Sequence, residues 1–302
     1  CRSCGHVIKC ENCDVSLTYH ARGQVLKCHY CGYQEPYPSV CPECGSRYIK
    51  YFGLGTQRVE EELGKLFPSA RLLRMDMDTT SRKGAHHRIL DAFGKGDSDI
   101  LLGTQMVAKG LDFPNVTLVG VLAADTSLNL PDYRSCEKTF QLITQVAGQT
   151  GRGGKPGRVV VQSYQPEHYA IVFASHHDYE GFYRKEIGIR RQFGYPPYSH
   201  IIRVLMTGER EKELDRFVKN MIEWIKGRIA GNECLEKGLL DLGAYTAPIE
   251  RINNKYRRQI LIRIRPSPEY RDGYHFLADE LMKTFYQKVF TVTLDFNPLS
   301  LL

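Results

Sequence analysis

Several features that would assign this chain of 302 residues to a class at once are missing from its sequence. No apolar run is long enough to span a membrane and no segment resembles a signal peptide, so a reducing, cytoplasmic location is expected. No stretch has the composition of a disordered tail. A GxxxxGK(S/T) phosphate loop and a DEAH-type metal-binding box are also absent, so we expect no nucleotide hydrolysis from these residues alone. The formal charge of +7 permits nucleic-acid binding without requiring it.

Cysteine, in contrast, is concentrated at the start of the chain. Of the 10 cysteines, eight lie within the first 44 residues as four CxxC pairs: Cys1/Cys4, Cys10/Cys13, Cys28/Cys31 and Cys41/Cys44. Each pair places two thiolates on one tight turn, which is half of a tetrahedral zinc site. Disulfides and redox-active pairs are less consistent with this pattern, because the compartment is reducing and no βαβ pattern surrounds the pairs.

The spacing between the pairs predicts how they combine. Fourteen residues separate Cys13 from Cys28, a normal loop for a four-cysteine ribbon, whereas only five separate Cys4 from Cys10. We therefore predict nested pairing. One zinc ion is bound by Cys10, Cys13, Cys28 and Cys31, and the other by Cys1, Cys4, Cys41 and Cys44. Eight cysteines leave no open coordination position, so both ions are expected to be structural and to supply most of the folding free energy of residues 1–50.

Residues 51–165 alternate short apolar runs with helical patterns. The predicted strands are 71–75, 99–103, 116–123 and 158–162, and the predicted helices are 55–67, 83–93 and 135–147. Because the strands are almost entirely apolar and alternate with helices, the pattern predicts a parallel α/β sheet that is buried on both faces.

The rest of the chain has two further patterns. Residues 166–197 form a predicted helical linker that is rich in aromatic residues and ends at Pro196 and Pro197. Residues 198–302 contain predicted strands at 199–206, 239–244, 258–265 and 291–296, with helices after the first and third of them. This β-α-β-β-α-β order predicts a split βαβ, ferredoxin-like domain.

Three clusters of glycine and polar residues lie where α/β folds keep their ligand sites, at 103–113, 145–152 and 55–58. In the first, glycine lets the backbone approach a phosphate, Thr104 and Lys109 can donate to it, and Asp112 can accept from a ribose hydroxyl. The second follows a helix and contains Arg152, and the third opens a helix whose N–H groups suit an anion. Taken alone, each cluster is more often an ordinary turn than a ligand site.

The order of the first two clusters is more specific. GTQMVAKGLDFPNVTLV followed by QVAGQTGRGGKPG resembles motifs V and VI in the second RecA-like lobe of superfamily 2 helicases. Four CxxC pairs precede these motifs, and HDYEGFYRKEIGIRRQFGYPPYSH and a closing DFNP follow them. With these features the chain resembles, over essentially its whole length, the family of primosomal protein N′, the bacterial replication-restart DNA helicases. The resemblance implies that the zinc module is inserted within the second helicase lobe.

The resemblance implies roles for individual residues of both motifs. It implies contacts with the DNA backbone for Gly103, Thr104 and Lys109. It implies a place near the nucleotide for Gly110, Asp112 and Gln145. Arg152 matches the arginine finger, which stabilises negative charge on the γ-phosphate in the transition state. Gln149 departs from the family pattern QxxGRxGR, which has arginine there, and glutamine supplies no charge.

Two functions therefore stay open. One is an ATP-dependent helicase that moves 3′ to 5′ and uses ATP with Mg²⁺; the other is a non-catalytic, DNA-binding scaffold for primosome assembly. For either, the resemblance implies these partners: single-stranded and forked DNA, the C-terminal tail of single-stranded DNA-binding protein, other primosome proteins and the replicative helicase loader. Because the chain begins on Cys1 and has no phosphate loop, we expect it to be a fragment that lacks the N-terminal domain and the first helicase lobe.

A basic segment with interspersed aromatic residues lies between Pro248 and Gly273. It contains seven Lys or Arg residues against three acids, together with two tyrosines. Arg257 and Arg258 are the predicted DNA contacts, because such a mixture suits phosphates and stacked bases. The alternative is a solvated strand edge, since Lys and Arg commonly protect exposed edges.

Overall fold

The computed structural model describes residues 1, 3–20, 23–49, 55–80, 84–104, 107, 113–148, 150, 156–284 and 290–301. Contacts between Cα atoms divide the chain into two compact units. The first comprises Cys1–Tyr51, Pro131–Tyr133 and Ile187–Leu302, and the second comprises Phe52–Leu130 and Arg134–Glu186. The zinc-ligand segment and the C-terminal segment therefore belong to one unit, although the whole second unit lies between them in the sequence.

The cysteine-rich segment of the first unit contains one small antiparallel sheet. Its strands are β1 (Thr18–His20), β2 (Val25–Lys27) and β3 (Gln34–Pro36), with β2 in the centre. The best-buried cluster here consists of Cys10, Cys13 and Cys28 rather than of aliphatic side chains. So small a core is consistent with a module whose stability depends on bound metal.

The second unit has the alternating order that its sequence predicts. Its elements begin with α1 (Thr56–Leu66), β4 (Leu72–Met75), α2 (Met77–Thr80), α3 (Ala85–Gly94) and β5 (Ile100–Gly103). They continue with β6 (Leu118–Val121), α4 (Asp125–Leu128), α5 (Ser135–Ala147), β7 (Arg158–Val161) and α6 (Tyr169–Ser175), after which α7 (Tyr179–Phe193) begins. Strands β4 and β5 form one parallel pair, and β6 and β7 form another.

The prediction that these strands are buried on both faces is wrong for β6 and β7. Val121 and Val161 pack against the cluster that helices α4 to α7 contribute. Leu118 and Val160, on the alternate face, are 61% and 49% exposed. Successive side chains of a strand point to opposite faces, and in the described part of the chain the apolar cluster lies on one of them only.

The C-terminal segment of the first unit forms a four-stranded antiparallel sheet. The elements are β8 (His200–Gly208), α8 (Glu211–Ile229), α9 (Glu233–Gly238), β9 (Leu239–Ile252), β10 (Lys255–Ile264), a 3-10 turn (Pro268–Tyr270), α10 (Arg271–Thr284) and β11 (Thr291–Phe296). The strand order is β11-β8-β10-β9. One sheet face meets α8 and α10 in the largest apolar core, built around residues such as Ile202, Val204, Ile260, Ile262 and Ile225.

Strand β9 is longer than its sequence predicts. It runs to Ile252, past Pro248, whereas the predicted strand ends at residue 244. Proline has no N–H to donate, and β9 is an edge strand, where one row of N–H groups has no partner strand to bond. In the described residues, no helix is both long enough and apolar enough to cross a membrane.

Candidate metal centres and nucleic-acid surfaces

The structure brings the eight cysteine sulfurs together in two groups, the same two that nested pairing predicts. Cys1, Cys4, Cys41 and Cys44 form the outer group, and Cys10, Cys13, Cys28 and Cys31 form the inner group. Within each group all sulfurs lie within 4.8 Å of one another. The Sγ–Sγ distance is 3.8 Å for Cys1–Cys44, 3.7 Å for Cys4–Cys41 and 3.5 Å for Cys10–Cys31. A tetrahedral zinc site with Zn–S bonds of about 2.3 Å has sulfur–sulfur edges of about 3.8 Å, so both groups fit zinc.

Local backbone turns position these thiols. Three of the four CxxC pairs are followed by a glycine with positive φ: Gly5 (77°), Gly32 (77°) and Gly45 (68°). Each glycine N–H donates to the carbonyl of the first cysteine of its pair, at 2.9, 3.0 and 2.9 Å respectively. Glycine adopts this left-handed backbone without a steric penalty, which is why the sequence CxxCG folds into this tight knuckle.

Backbone N–H groups also point at the sulfurs. Ser3 donates to Sγ of Cys1, Asn12 to Sγ of Cys10 and Tyr33 to Sγ of Cys31, each at 3.4 Å. Hydrogen bonds of this kind stabilise a thiolate, which is the form that binds zinc. The amides therefore prepare both groups for metal.

The two groups differ in exposure and in thiol acidity. Cys4 and Cys44 of the outer group are exposed, whereas three thiols of the inner group are buried. Burial raises the pKa of Cys13 to about 12. Burial also acts to raise the pKa of Cys31, but hydrogen bonds from the Tyr33 amide and the neighbouring thiols outweigh it and lower this pKa to about 7. One thiol of the inner group is thus ready to ionise near neutral pH, and metal binding displaces the remaining protons.

The carboxyl edge of β4 and β5 carries the first and third glycine clusters. Gly103, at the end of β5, pairs with Met75, and a Cβ at this position would overlap Cγ2 of Val107 and lie 2.6 Å from the Met75 carbonyl oxygen. Thr104, the next residue, is exposed. The sequence therefore needs glycine here because the turn after β5 closes directly against the neighbouring strand.

Asp76 is a residue at this edge that the sequence reasoning missed. It is buried, accepts 2.6 and 2.9 Å hydrogen bonds from the Thr56 hydroxyl and the Thr79 N–H, and pairs with Arg74 at 2.9 Å. Burial acts to raise the pKa of Asp76, but these hydrogen bonds and Arg74 outweigh it and lower the pKa. Asp76 thereby ties the N-terminus of α1 to the edge that holds Gly103. Its signal in the sequence is a carboxylate directly after a strand of a parallel sheet.

The structure describes only part of the predicted motor motifs. Gln145 is exposed on the last turn of α5. The other assigned residues lie outside the described part of the chain: Lys109, Gly110, Asp112, Gln149 and Arg152.

Arg258, one of the two predicted DNA contacts, is almost enclosed by the protein and is paired with carboxylates. Its side chain is 10% exposed, and its guanidinium pairs with Glu211 at 2.7 Å, Asp215 at 2.8 Å and Glu250 at 3.0 Å. Burial acts to lower the pKa of Arg258, but the carboxylates outweigh it and raise the pKa. The structure thus corrects the sequence interpretation, because Arg258 lies on the face of β10 that meets α8 and its charge is satisfied inside the protein.

Arg257 points to the opposite face of β10 and is half-buried. Its Nη1 donates to the carbonyl of Ile249 at 3.0 Å, and burial lowers the pKa of the guanidinium. Lys255, two residues earlier, is exposed at the start of the strand. Of the pair named from the sequence, Arg257 is the more exposed residue.

Three family models match successive parts of the chain. The PriA DNA helicase Cys-rich region (CRR) domain matches residues 10–36, the helicase conserved C-terminal domain matches 49–154, and the primosomal protein N C-terminal domain matches 191–299. The first of these covers the inner cysteine group. The second covers the parallel pair of β4 and β5, strand β6 and helix α5, and ends before β7.

Curated relatives align with nearly the whole chain. A replication restart protein PriA of Bacillus subtilis is 49% identical over 99% of this chain and 36% of its own length. The Synechocystis protein of the same name is 47% identical over 87% of the chain and 31% of its own length, and that of Treponema pallidum is 38% identical over 93% and 42%. The chain thus spans between 31% and 42% of the length of these relatives. On these matches and the two cysteine groups, the chain belongs to the PriA family of replication restart proteins.

Proposed function

We propose that this chain is the C-terminal part of an ATP-dependent superfamily 2 DNA helicase that moves 3′ to 5′, recognises stalled replication forks and initiates primosome assembly. The observation that carries the proposal is the order of the three family matches, zinc ribbon, helicase and primosomal C-terminal domain, in one chain. The inner cysteine group falls within the span of the first match, and the parallel pair of β4 and β5 falls within the span of the second.

In this proposal the second unit is the second RecA-like lobe. The DNA backbone is contacted by Gly103, Thr104 and Lys109. The nucleotide, which is ATP with Mg²⁺, lies near Gly110, Asp112 and Gln145. Arg152 and Gln149 act on the γ-phosphate. Support comes from the carboxyl edge of β5, where Gly103 allows close backbone approach and Thr104 is exposed. Since this sequence has no phosphate loop, residues 1–302 alone are expected to show no ATPase activity.

The zinc module has a structural role in the proposal. Two zinc ions, one in each cysteine group, hold residues 1–50 in a fold that has little apolar core of its own. The proposed domains are this module at 1–50, the helicase lobe at 51–165, a helical linker at 166–197 and a DNA- and partner-binding domain at 198–302.

We further propose that residues 198–302 adopt a ferredoxin-like topology. In chain order the strands β8, β9, β10 and β11 occupy sheet positions two, four, three and one, which is the arrangement of a split βαβ motif. Helix α8 connects the first two strands and α10 the last two, while the short helix α9 is an addition. DNA binding by this domain is assigned to Arg257 together with Lys255, without Arg258.

The proposed partners of the whole protein are single-stranded and forked DNA, the C-terminal tail of single-stranded DNA-binding protein, other primosome proteins and the replicative helicase loader, all in the cytoplasm. The names of the relatives support a role in replication restart. The basic segment that includes Arg257 supports contact with nucleic acid.

The test is ATP hydrolysis by the full-length protein on forked DNA, comparing native Gln149 with Gln149→Arg. DNA-stimulated turnover by the native protein supports the helicase, with Arg152 supplying the transition-state charge. Turnover by Gln149→Arg alone would instead favour the non-catalytic scaffold. Arg152→Ala is the matched control, and in the helicase it should lower the turnover number by roughly 10³-fold or more.

A further inference from the structure

One of the four zinc knuckles departs from the pattern of the others. The residue after the second cysteine is glycine in three pairs, and its N–H returns to the carbonyl of the first cysteine. After Cys13 the residue is Asp14, and its N–H donates instead to the carbonyl oxygen of Arg251, at 2.8 Å. The knuckle of Cys10 and Cys13 is therefore completed by a residue more than 230 positions away in the sequence.

The partner is the tip of the hairpin that joins β9 to β10, residues 251–254. Ile252 pairs with Lys255, and the two residues between them, Asn253 and Asn254, have φ values of 52° and 59°. Two positive φ values define a type I′ turn, for which asparagine is well suited. The turn directs its N–H groups outward, away from its own strands.

These N–H groups meet the knuckle. The N–H of Asn253 donates to Sγ of Cys13 at 3.3 Å, and the N–H of Asn254 donates to the Asn12 carbonyl oxygen at 2.8 Å. The Asn254 side-chain amide adds a 3.0 Å bond to Oδ1 of Asn12. Together with the bond from Asp14, four hydrogen bonds join the hairpin tip to residues 12–14.

Apolar contact reinforces the same joint. Ile252 packs against the cluster of Cys10, Cys13 and Cys28, which are the buried ligands of the inner group. The hairpin tip thus supplies both a hydrogen bond to a ligand sulfur and an apolar cover. The sulfur of Cys1, in the outer group, receives its amide bond from Ser3 of its own knuckle.

We propose that the hairpin tip is the outer shell of the inner zinc site, so that zinc binding at this site and docking of the C-terminal sheet stabilise each other. Four thiolates and one Zn²⁺ carry a net charge of −2, and an N–H donated to a charged sulfur is stronger than one donated to a neutral group. Outer-shell partners of metal ligands hold the ligand in position and set its affinity. The outer site has no part in this coupling. The inference does not depend on helicase activity.

The test is the rate at which each zinc ion leaves the purified, zinc-loaded protein in excess of a coloured chelator, after total zinc has been measured. In Ile252→Ala/Asn254→Gly the apolar cover and the side-chain bond are removed, while glycine keeps the positive φ of the turn. We expect one of the two ions to leave roughly 10-fold faster or more, and the other at its native rate. Leu240→Ala, an exposed position at the opposite end of β9, is the matched control and should leave both rates unchanged.

Unchanged release of both ions, or equal acceleration of both, would overturn the coupling while leaving the two zinc sites themselves intact. A second measurement needs no variant. In the native protein loaded with ¹¹³Cd, the amide proton of Asn253 should show a scalar coupling to the metal of the inner site through the Cys13 sulfur. If this amide showed none while those of Asn12 and Tyr33 did, the proposed hydrogen bond would be disproved.

Discussion

Replacing Arg258 by methionine separates a structural role from a DNA-binding role. Methionine keeps an unbranched, flexible side chain, although a shorter one, and removes the charge that three carboxylates share. Arg258 is 10% exposed, whereas Glu211, Asp215 and Glu250 are 43%, 46% and 38% exposed. Removing one partner of a fully buried pair costs about 3–5 kcal/mol, and because these carboxylates can be rehydrated we expect about 2–3 kcal/mol here.

The chain offers a specific probe for this measurement. Its one tryptophan, Trp224, lies on α8 and packs against the C-terminal core, so its fluorescence reports on unfolding of that sheet and its helices. Urea titration followed at Trp224 should show a lower midpoint for Arg258→Met than for the native protein, with an unchanged slope. Lys255→Met, at an exposed position of the same strand, is the control and should stay within about 0.5 kcal/mol of the native protein.

DNA binding gives the contrasting measurement. If the structural role is correct, Arg258→Met leaves the salt dependence of DNA affinity unchanged. Native stability combined with weaker DNA binding and a salt slope reduced by about 1 would refute the reasoning, because that is the signature of a lost phosphate contact.

Three other predictions can be checked directly. Gly103→Ala should lower the free energy of unfolding by about 1–3 kcal/mol because its Cβ overlaps Val107, whereas Gly120→Ala, which has open space, should be neutral in the same denaturation assay. Removal of both zinc ions by a chelator should unfold the cysteine-rich module, seen as lost amide protection from hydrogen exchange in residues 1–49 with protection retained in helix α5; full protection without metal would contradict this. Arg71 holds the pKa of Asp99 at about 2, so the stability from this pair is complete above about pH 4 and is lost as pH falls toward 2. An NMR titration should show that midpoint, and Arg71→Gln should raise it.

Local patterns in the sequence predicted much of the fold. Helix α5 begins and ends at the predicted residues, and every predicted strand of the second unit is present within about two residues. The nested cysteine grouping also followed from spacing, since a loop of five residues is too short to fold one pair onto the next. In each case the prediction depends on interactions between residues that are close in the sequence or that recur with the period of one helix or strand.

Only the tertiary structure shows which charged side chains form ion pairs inside the protein. Arg257 and Arg258 are adjacent and look equivalent in the sequence. Because successive side chains of β10 point to opposite faces, Arg258 faces the acidic start of α8 and Arg257 faces the other side of the sheet. No sequence pattern shows where α8 will lie. The exposed face of β6 and β7 was missed for the same reason, because burial depends on what packs against a strand.

The sequence by itself determined that the eight cysteines form two groups of four and which cysteines share each group, because the CxxC knuckle is a local structure. Only the tertiary structure decided that the inner site meets the β9–β10 hairpin. The sequence shows Asp14 where the other three knuckles have glycine, but it does not show that the Asp14 N–H bonds to the carbonyl of Arg251. Contacts over such sequence distances depend on the packing of whole elements, for which a single sequence carries no local signal.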